Sequence, residues 1–219
     1  MSEIILKVEN LSKKYIEINR EMMIFKNISF DIKQGESLAI VGPSGCGKTS
    51  LLQIIGLMDF DYNGNVVILN KNIQRISEDE KKIIRQKDIS FVHQFHHLFP
   101  EFSAIENIII PQLNLGINKS VAINCAMKIL YDLNLNDKSN KNLWQLSGGE
   151  RQRIAMARAI INKPKLILAD EPTGSLDSKT SEEVINLLIN LCKINLSSLI
   201  LVTHNNLIAK KCDNILNMF

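Results

Sequence analysis

The stretch Gly42-Pro43-Ser44-Gly45-Cys46-Gly47-Lys48-Thr49 decides the fold of this chain. It satisfies the phosphate-loop pattern Gly-x-x-x-x-Gly-Lys-Ser/Thr at every constrained position. The apolar residues 37–41 before it predict a buried strand, and residues 50–55 continue it as a helix. Glycines let successive backbone N–H groups surround an anion, and the helix N-terminus adds partial positive charge. The alternative is a glycine-rich turn that matches by chance, which the flanking strand and helix disfavour. All eight residues are therefore candidates for binding a nucleotide.

Two side chains of this loop carry specific chemistry. Lys48 is expected to reach the β- and γ-phosphates as a point charge. The hydroxyl of Thr49 is expected to ligate Mg²⁺, a cation that prefers oxygen ligands. The loop therefore predicts a nucleotide bound together with magnesium.

Composition places the chain among ordinary folded proteins and disfavours several classes of function. Its 219 residues, 45% apolar and 22% charged, are enough for one sizeable core. The formal net charge of +3 is too small to indicate a nucleic-acid partner. No apolar run approaches the ~18 residues that cross a bilayer, so the chain is not expected to span one. The four cysteines are scattered, which indicates reduced thiols in a cytosolic protein.

Strands and helices alternate along the chain, which predicts a parallel sheet covered by helices. Apolar strands are predicted at residues 66–69, 89–92, 166–169 and 199–202. Ser77 and Glu80 have the spacing of a capping box at the start of a helix. Before the phosphate loop, residues 4–8 and 26–31 predict short strands of an antiparallel layer. A polar loop is expected between them, a few residues after Tyr15.

The region after residue 94 changes in character and predicts an inserted helical lobe. Pro100 and Pro111 interrupt it, and apolar residues recur at helical spacing from Ala122 to Leu133. We expect a single domain over residues 1–219, with a core at 1–94 and 150–219 and a lobe at about 95–149.

Carboxylates follow one of the predicted strands. Asp170 and Glu171 come directly after residues 166–169, at the edge where open α/β sheets bind ligands. An Asp there can hold Mg²⁺, and the adjacent carboxylate can orient or deprotonate an attacking water. Two carboxylates can also simply end a strand in solvent, which the phosphate loop in the same chain disfavours.

Gln94 and His204 follow two other strands in the same way. Gln94 is a candidate ligand of Mg²⁺ or of the attacking water, and His204 is a candidate contact on the γ-phosphate side. For Gln94, a polar strand end without a catalytic role is an equally good interpretation, and a lone histidine such as His204 is more often structural. Tyr15 is similarly open, either as an aromatic residue at a strand edge or as a flat surface on which adenine stacks.

A second anion site is predicted at Leu146-Ser147-Gly148-Gly149-Glu150. Ser147 is a good helix N-cap, and Gly148 and Gly149 leave bare N–H groups at the helix N-terminus. One chain therefore carries two phosphate-type sites but only one set of candidate magnesium ligands.

These motifs, in this order, resemble the ATP-binding-cassette (ABC) ATPases over nearly the whole chain. They are the phosphate loop, Gln94, LSGGE followed by Arg151-Gln152-Arg153, residues 166–171, Ser175-Leu176-Asp177 and His204. The resemblance implies an α/β P-loop NTPase fold with a RecA-like core, and ATP and Mg²⁺ as cofactors. It implies two subunits that pair head-to-tail, with Ser147, Gly148 and Gly149 of one closing on ATP held by Lys48 of the other. It assigns Tyr15 to the adenine, Glu171 to hydrolysis, His204 to the γ-phosphate and Asp177 to communication across the dimer.

A narrower resemblance, to the ATPases of lipoprotein-releasing transporters, rests on the run from Phe91 to Phe102 with its Gln94-Phe95-His96-His97-Leu98 segment. It implies that two integral membrane permease subunits contact the region from Gln94 to Phe102, at the cytoplasmic face of a bacterial inner membrane. His93, His96 and His97 lack carboxylate or thiol partners at useful spacing, so a metal site is not expected there.

The expected function is that of an ATP-hydrolysing subunit that powers release of lipoproteins from the inner membrane, without contacting the cargo itself. The alternatives that keep the ATPase are a macrolide-type exporter and a cell-division ABC complex. A soluble ABC ATPase acting on ribosomes or DNA is disfavoured by the single cassette and the small net charge. A P-loop kinase is disfavoured because it leaves LSGGE without a role.

Overall fold

The chain forms two β-sheets, and the phosphate loop follows a strand of the larger sheet. The computed structural model describes residues 3–17 and 20–218, with backbone only at residues 16, 17 and 20. The parallel strands are β3 (Ser37–Val41), β6 (Ile89–His93), β7 (Leu166–Asp170), β8 (Ser198–Val202) and β9 (Asn214–Asn217). Their order in the sheet is β6-β7-β8-β3-β9. The strand before the phosphate loop, β3, therefore has neighbours on both sides, β8 and β9.

The second sheet is antiparallel and lies at the N-terminal side of the sequence. Its strands are β1 (Ile4–Glu17), β2 (Arg20–Lys33), β4 (Asn63–Ile68) and β5 (Lys71–Asn72), in the order β2-β1-β4-β5. The expected antiparallel layer is confirmed, but β1 and β2 are much longer than the segments 4–8 and 26–31. Met22 and Met23, expected in a loop, belong to β2 and pair with Tyr15 and Lys14 of β1. Residues 18 and 19 of that expected loop lie outside the described residues.

Burial on both faces explains why the central parallel strands β3, β7 and β8 each contain four consecutive apolar residues. In β7, Leu166 and Leu168 join one buried cluster, which also contains residues of the antiparallel sheet. Ile167 and Ala169, on the opposite face, join a second cluster with the helical lobe. Because successive side chains of a strand point to opposite faces, a sheet covered on both sides needs apolar residues at every position.

Helices cover both faces of the parallel sheet. They are α1 (Lys48–Ile55), α2 (Glu78–Lys87), α3 (Ala104–Asn114), α4 (Lys119–Asp132), α5 (Gly148–Ile160), α6 (Ser178–Asn195) and α7 (Asn206–Ala209). The expected capping box is present at the start of α2, where the hydroxyl of Ser77 accepts from the Glu80 N–H and the Glu80 carboxylate accepts from the Ser77 N–H.

The region expected to be a helical lobe contains α3 and α4, and α5 packs against α3, α4, α6 and β6. Sequence periodicity had predicted α4 alone, because Pro111 lies inside α3 and removes one backbone donor there. In the described part of the chain, no helix has the length and apolar character needed to cross a membrane.

Candidate functional site

The ends of the parallel strands bring the predicted residues to one edge of the sheet. His93 at the end of β6 pairs with Asp170 at the end of β7. Asp170 pairs with Val202 at the end of β8, and Val202 pairs with Ile40, just before the phosphate loop. Because the carboxyl ends of parallel strands open onto a common edge, the residues that follow these strands surround one site.

The phosphate loop turns between β3 and α1 with glycine at the positions that demand it. Gly47 has φ 93° and would place a β-carbon 2.5 Å from Ile24 and 2.8 Å from Phe25 of β2. Nζ of Lys48 donates to the carbonyl oxygens of Gly42 (2.9 Å) and Pro43 (2.8 Å). The ammonium group therefore lies within the concave side of the loop, where a bound phosphate would replace carbonyl oxygens as its partner.

The C-terminal strand β9 supports the start of the loop, and sequence reasoning missed it. The Met218 N–H donates to the carbonyl of Val41 at 2.8 Å. A β-carbon at Gly42 would collide with the Met218 carbonyl oxygen, so glycine is needed there for close approach of two backbones. Only Ile215 and Leu216 are apolar in β9, too few to predict a strand.

Oxygen atoms suited to a magnesium ion meet beside this loop. Oγ1 of Thr49 donates to Oδ2 of Asp170 at 2.9 Å. Both residues line a cleft of about 250 Å³, together with His93, Gln94, Phe95, His97 and Glu171. A hydroxyl, a carboxylate and an amide oxygen around a solvent-accessible cleft fit a cation that is held by few protein oxygens and retains waters.

Glu171 and His204 contact each other. Oε2 of Glu171 lies 2.8 Å from Nδ1 of His204, with the carboxylate one-fifth exposed and the imidazole largely exposed. Glu171 has φ 46°, an unusual value for a residue with a side chain, and its N–H donates to the Val202 carbonyl. A carboxylate oriented by an imidazole at the cleft is an arrangement able to accept a proton from water.

Gln94 lies at the cleft and packs against Gly174, a residue that sequence reasoning missed. A β-carbon at Gly174 would come within 2.7 Å of Nε2 of Gln94 and 3.1 Å of its Cδ. Gly174 therefore provides the space in which the Gln94 amide lies. The only sequence signal was a glycine shortly after Asp170 and Glu171, which is too common to single out.

Ser147 begins α5 as predicted. Its hydroxyl accepts from the Glu150 N–H, and the Glu150 carboxylate accepts from the Ser147 N–H, which holds the pKa of Glu150 below its usual range. The cleft lining in the described residues comes from the strand ends and α1, and Ser147, Gly148 and Gly149 are not part of it. The second predicted anion site thus lies apart from the cleft within one chain.

The start of α5 packs against the segment that contains Asp177. A β-carbon at Gly149 would lie 2.8 Å from the Thr180 methyl group, and one at Gly148 would lie 3.3 Å from Leu176. Asp177 is the N-cap of α6, and its hydrogen bond from Thr180 lowers the pKa of its carboxyl group. Asp177 therefore lies in sequence between Leu176 and Thr180, the two residues that the start of α5 packs against.

Tyr15 lies on β1, 44% exposed. The Lys13 ammonium group is 5.1 Å from its ring centroid and is also paired with Asp59 at 3.1 Å and Asp61 at 3.3 Å. The exposed part of the ring leaves a surface on which a flat base can stack. Among the described residues, no group of three or more histidine, cysteine, aspartate or glutamate side chains could hold a metal ion, and the histidines of residues 93–97 form none.

The fold and the arrangement of these side chains define a P-loop nucleotide-binding ATPase. The family model described as "ABC transporter" matches residues 25–174, more than half of the sequence. The chain belongs to the ABC transporter family of ATPases. The predicted family and the predicted α/β P-loop fold are both confirmed.

Curated relatives and solved structures agree with this assignment. The chain is 43% identical to the lipoprotein-releasing system ATP-binding protein LolD of Rickettsia bellii, over 98% of this chain and 95% of that protein. It is 44% identical to LolD of Ehrlichia ruminantium, over 98% and 94% respectively. A dimeric ATP-binding cassette in a post-hydrolysis state bound to ADP and Pi superimposes with a TM-score of 0.86 and 35% identity, over 97% of this chain and 94% of that one. A dimeric bacterial ABC transporter cassette gives a TM-score of 0.87 and 36% identity, with the same coverage.

Proposed function

We propose that this chain is the ATP-hydrolysing subunit that powers release of lipoproteins from a bacterial inner membrane towards the outer membrane. The observation that carries the proposal is similarity over nearly full length to proteins named for lipoprotein release. The ATPase part of the proposal also rests on the cleft beside the phosphate loop. The cargo itself would not contact this chain.

ATP binding is assigned to the phosphate loop and β1. Residues 42–47 surround the phosphates, with a backbone N–H from each residue except Pro43, together with the Lys48 ammonium group, and Tyr15 stacks on the adenine. Thr49, Gln94 and Asp170 are the residues that would hold magnesium. The position of their side-chain oxygens at the cleft supports this assignment. When bound, the ion supplies charge neutralisation for the β- and γ-phosphates.

Hydrolysis is assigned to Glu171, with His204 and Gln94 as its partners. Glu171 accepts the proton of the attacking water, and its 2.8 Å contact with His204 orients the carboxylate. The imidazole of His204, largely exposed next to Glu171, is assigned to the γ-phosphate side of the site. Gln94, which also lines the cleft, is assigned to orienting the attacking water.

Two chains are proposed to pair head-to-tail as a homodimer. Ser147, Gly148 and Gly149 lie outside the cleft of their own chain, and the N-terminus of a helix favours the binding of anions. In the dimer these residues close on ATP held by Lys48 of the other subunit, and Asp177 beside them contacts the facing subunit. The dimeric state of the two similar cassettes supports this pairing.

Two integral membrane permease subunits complete the proposed assembly. They contact the region from Gln94 to Phe102, where Phe95, Phe99 and Phe102 are exposed aromatic side chains. The rings of Phe99 and Phe102 lie 5.8 Å apart between centroids, and exposed aromatic side chains of this kind are typical of a contact surface for a protein partner. This contact places the chain at the cytoplasmic face of the membrane as a peripheral subunit.

Release of lipoprotein from a reconstituted complex tests the proposal. The chain is purified with its two membrane subunits, placed in vesicles that hold a lipid-anchored lipoprotein, and the lipoprotein released on addition of ATP is measured. The matched variant Glu171→Gln keeps the side-chain shape but removes the base, so release and ATP turnover should both fall about 100-fold or more. ATP turnover by the wild-type complex without any release would refute the lipoprotein function, and full turnover by Glu171→Gln would refute the catalytic role.

A further inference from the structure

The segment from His93 to His97, which we call the connecting segment, is fastened to α5 by side chains of that helix. Nη1 of Arg158 donates to the His97 carbonyl at 2.7 Å, and Nη2 donates to the His96 carbonyl at 2.9 Å. Nε2 of Gln152, a fully buried side chain, donates to the His93 carbonyl at 3.4 Å. Burial lowers the pKa of Arg158, and partly desolvated hydrogen bonds from a guanidinium group are stronger than exposed ones.

His96 makes the return contact from the connecting segment to α5. Its Nε2 lies 3.1 Å from the carbonyl oxygen of Gly148, the first residue of α5. Because a carbonyl oxygen only accepts hydrogen bonds, Nε2 carries the proton and donates. His96 is partly buried, whereas Phe95 and His97 on either side of it are exposed.

The two ends of this connection belong to different parts of the proposed dimer. Gln94, within the connecting segment, lies at the cleft of its own subunit beside Thr49 and Asp170. Gly148 lies between Ser147 and Gly149, which are proposed to close on the ATP held by the other subunit. Gln94 and Ser147 are therefore connected by the backbone from Gln94 to His96, the contact of His96 with Gly148, and the peptide bond from Gly148 to Ser147.

We propose that His96 is a positioning residue that links Gln94 in one ATP site to the Ser147–Gly149 turn in the other. The inference rests on the proposed composite sites of the dimer. His96 touches no nucleotide; through the Gly148 carbonyl it sets where the first turn of α5 lies. Loss of its hydrogen bond leaves ATP binding by the separate subunit intact and weakens closure of the dimer.

Two substitutions at His96 separate the hydrogen bond from simple filling of space. His96→Leu removes the donor and keeps a side chain of similar volume. His96→Gln keeps an N–H donor at about the place of Nε2, because the glutamine amide and the imidazole Nε2 are the same number of bonds from the backbone. Tyr131→Leu, which removes an exposed ring from α4, is the control for loss of an aromatic side chain in the same lobe.

The experiment compares ATP affinity with ATP-driven dimerisation, all in full-length chains that also carry Glu171→Gln so that ATP is not consumed. Binding of a fluorescent ATP analogue at low protein concentration should stay within about twofold for every variant. The ATP concentration that drives half of the chains into the dimer should rise about tenfold for His96→Leu, the effect of one lost hydrogen bond. For His96→Gln, this ATP concentration should be close to that of the chain with Glu171→Gln alone. For Tyr131→Leu, it should be unchanged.

Several outcomes would overturn this inference. Unchanged dimerisation of His96→Leu, or a His96→Gln variant as defective as His96→Leu, would show that the hydrogen bond to Gly148 does not position the turn. Equal losses of ATP affinity and dimerisation in His96→Leu would show a general structural role instead. A Ser147→Arg variant measured in parallel tests the proposed composite ATP sites separately. If those sites do not exist, this variant would dimerise normally.

Discussion

Backbone groups hold both Lys48 and Glu171 in place at the site, and for Glu171 the backbone conformation itself is unfavourable. Nζ of Lys48 is held by the carbonyl oxygens of Gly42 and Pro43, so its position for a phosphate is already set. Glu171 takes φ 46°, which costs on the order of 1–2 kcal/mol for a residue with a β-carbon. The hydrogen bond of its N–H to Val202 and the contact of its carboxylate with His204 offset this cost.

Replacing Lys48 by alanine should weaken ATP binding. The substitution removes one charged hydrogen-bond donor from the phosphates, worth about 1.5–3 kcal/mol, so Kd should rise about 10- to 150-fold. Equilibrium titration with a fluorescent ATP analogue measures this change. An ATP affinity equal to that of the wild type would contradict the role of the loop, and Lys14→Ala, at an exposed pair with Glu21, is the control that should leave affinity unchanged.

At the residue scale, the strand pattern predicted that Gln94, Asp170 and Glu171 follow strands that share one edge of the sheet, but it did not predict the contacts between side chains. Glycine at position 47 follows from the loop pattern, because the positive φ there is inherent in the motif. The left-handed backbone of Glu171 has no such signal, because nothing in its side chain demands it. The contact between His96 and Gly148 joins residues 52 positions apart, and local patterns carry no information on such pairs.

At the scale of elements, helix α5 contacts both the segment with Asp177 and the connecting segment, and its sequence does not indicate either contact. Its first turn carries Ser147 and packs against the segment with Asp177, while Gln152 and Arg158 further along hold the connecting segment. One helix therefore determines the relative positions of the second anion site and of the segment that contains Gln94.

A bulky cation at the start of α5 should stop hydrolysis without affecting ATP binding to a separate subunit. In Ser147→Arg, the long side chain fills the space that the phosphates of the facing subunit need, and we expect ATP turnover to fall about 100-fold or more. ATP affinity at low protein concentration should stay within about twofold. Ser147→Thr keeps both the hydroxyl and the N-cap and is the matched control. Normal turnover of Ser147→Arg would exclude a shared site.

Elements with strong periodicity were predictable, and elements defined by tertiary contacts were not. The strands β3, β7 and β8 contain runs of four apolar residues and β6 is mostly apolar, so their existence followed from the sequence. The extensions of β1 and β2 carry lysine, glutamate and asparagine residues and are strands because they pair with each other over their whole length. Likewise, α3 was not predicted because it contains Pro111, and β9 was not predicted because it is a strand through its pairing with β3.

At the scale of the whole molecule, two buried clusters meet across the parallel sheet. One joins the sheet to the antiparallel layer, and the other joins it to α3, α4, α5 and α6. The phosphate loop belongs to the first side and the Ser147–Gly149 turn to the second. In the proposed head-to-tail dimer, a chain built in this way holds one half of each of two different ATP sites, and pairing with a second chain completes both.

Mixing two inactive variants tests this central claim most directly. Lys48→Ala chains retain the Ser147–Gly149 turn and Ser147→Arg chains retain the phosphate loop, so a mixed dimer contains one complete site. ATP turnover is measured for each variant alone and for an equal mixture at the same total concentration. With random pairing, half of the dimers are mixed and each has one of two sites, so the mixture should recover about a quarter of wild-type turnover. A mixture no more active than the mean of the two separate variants would contradict the account.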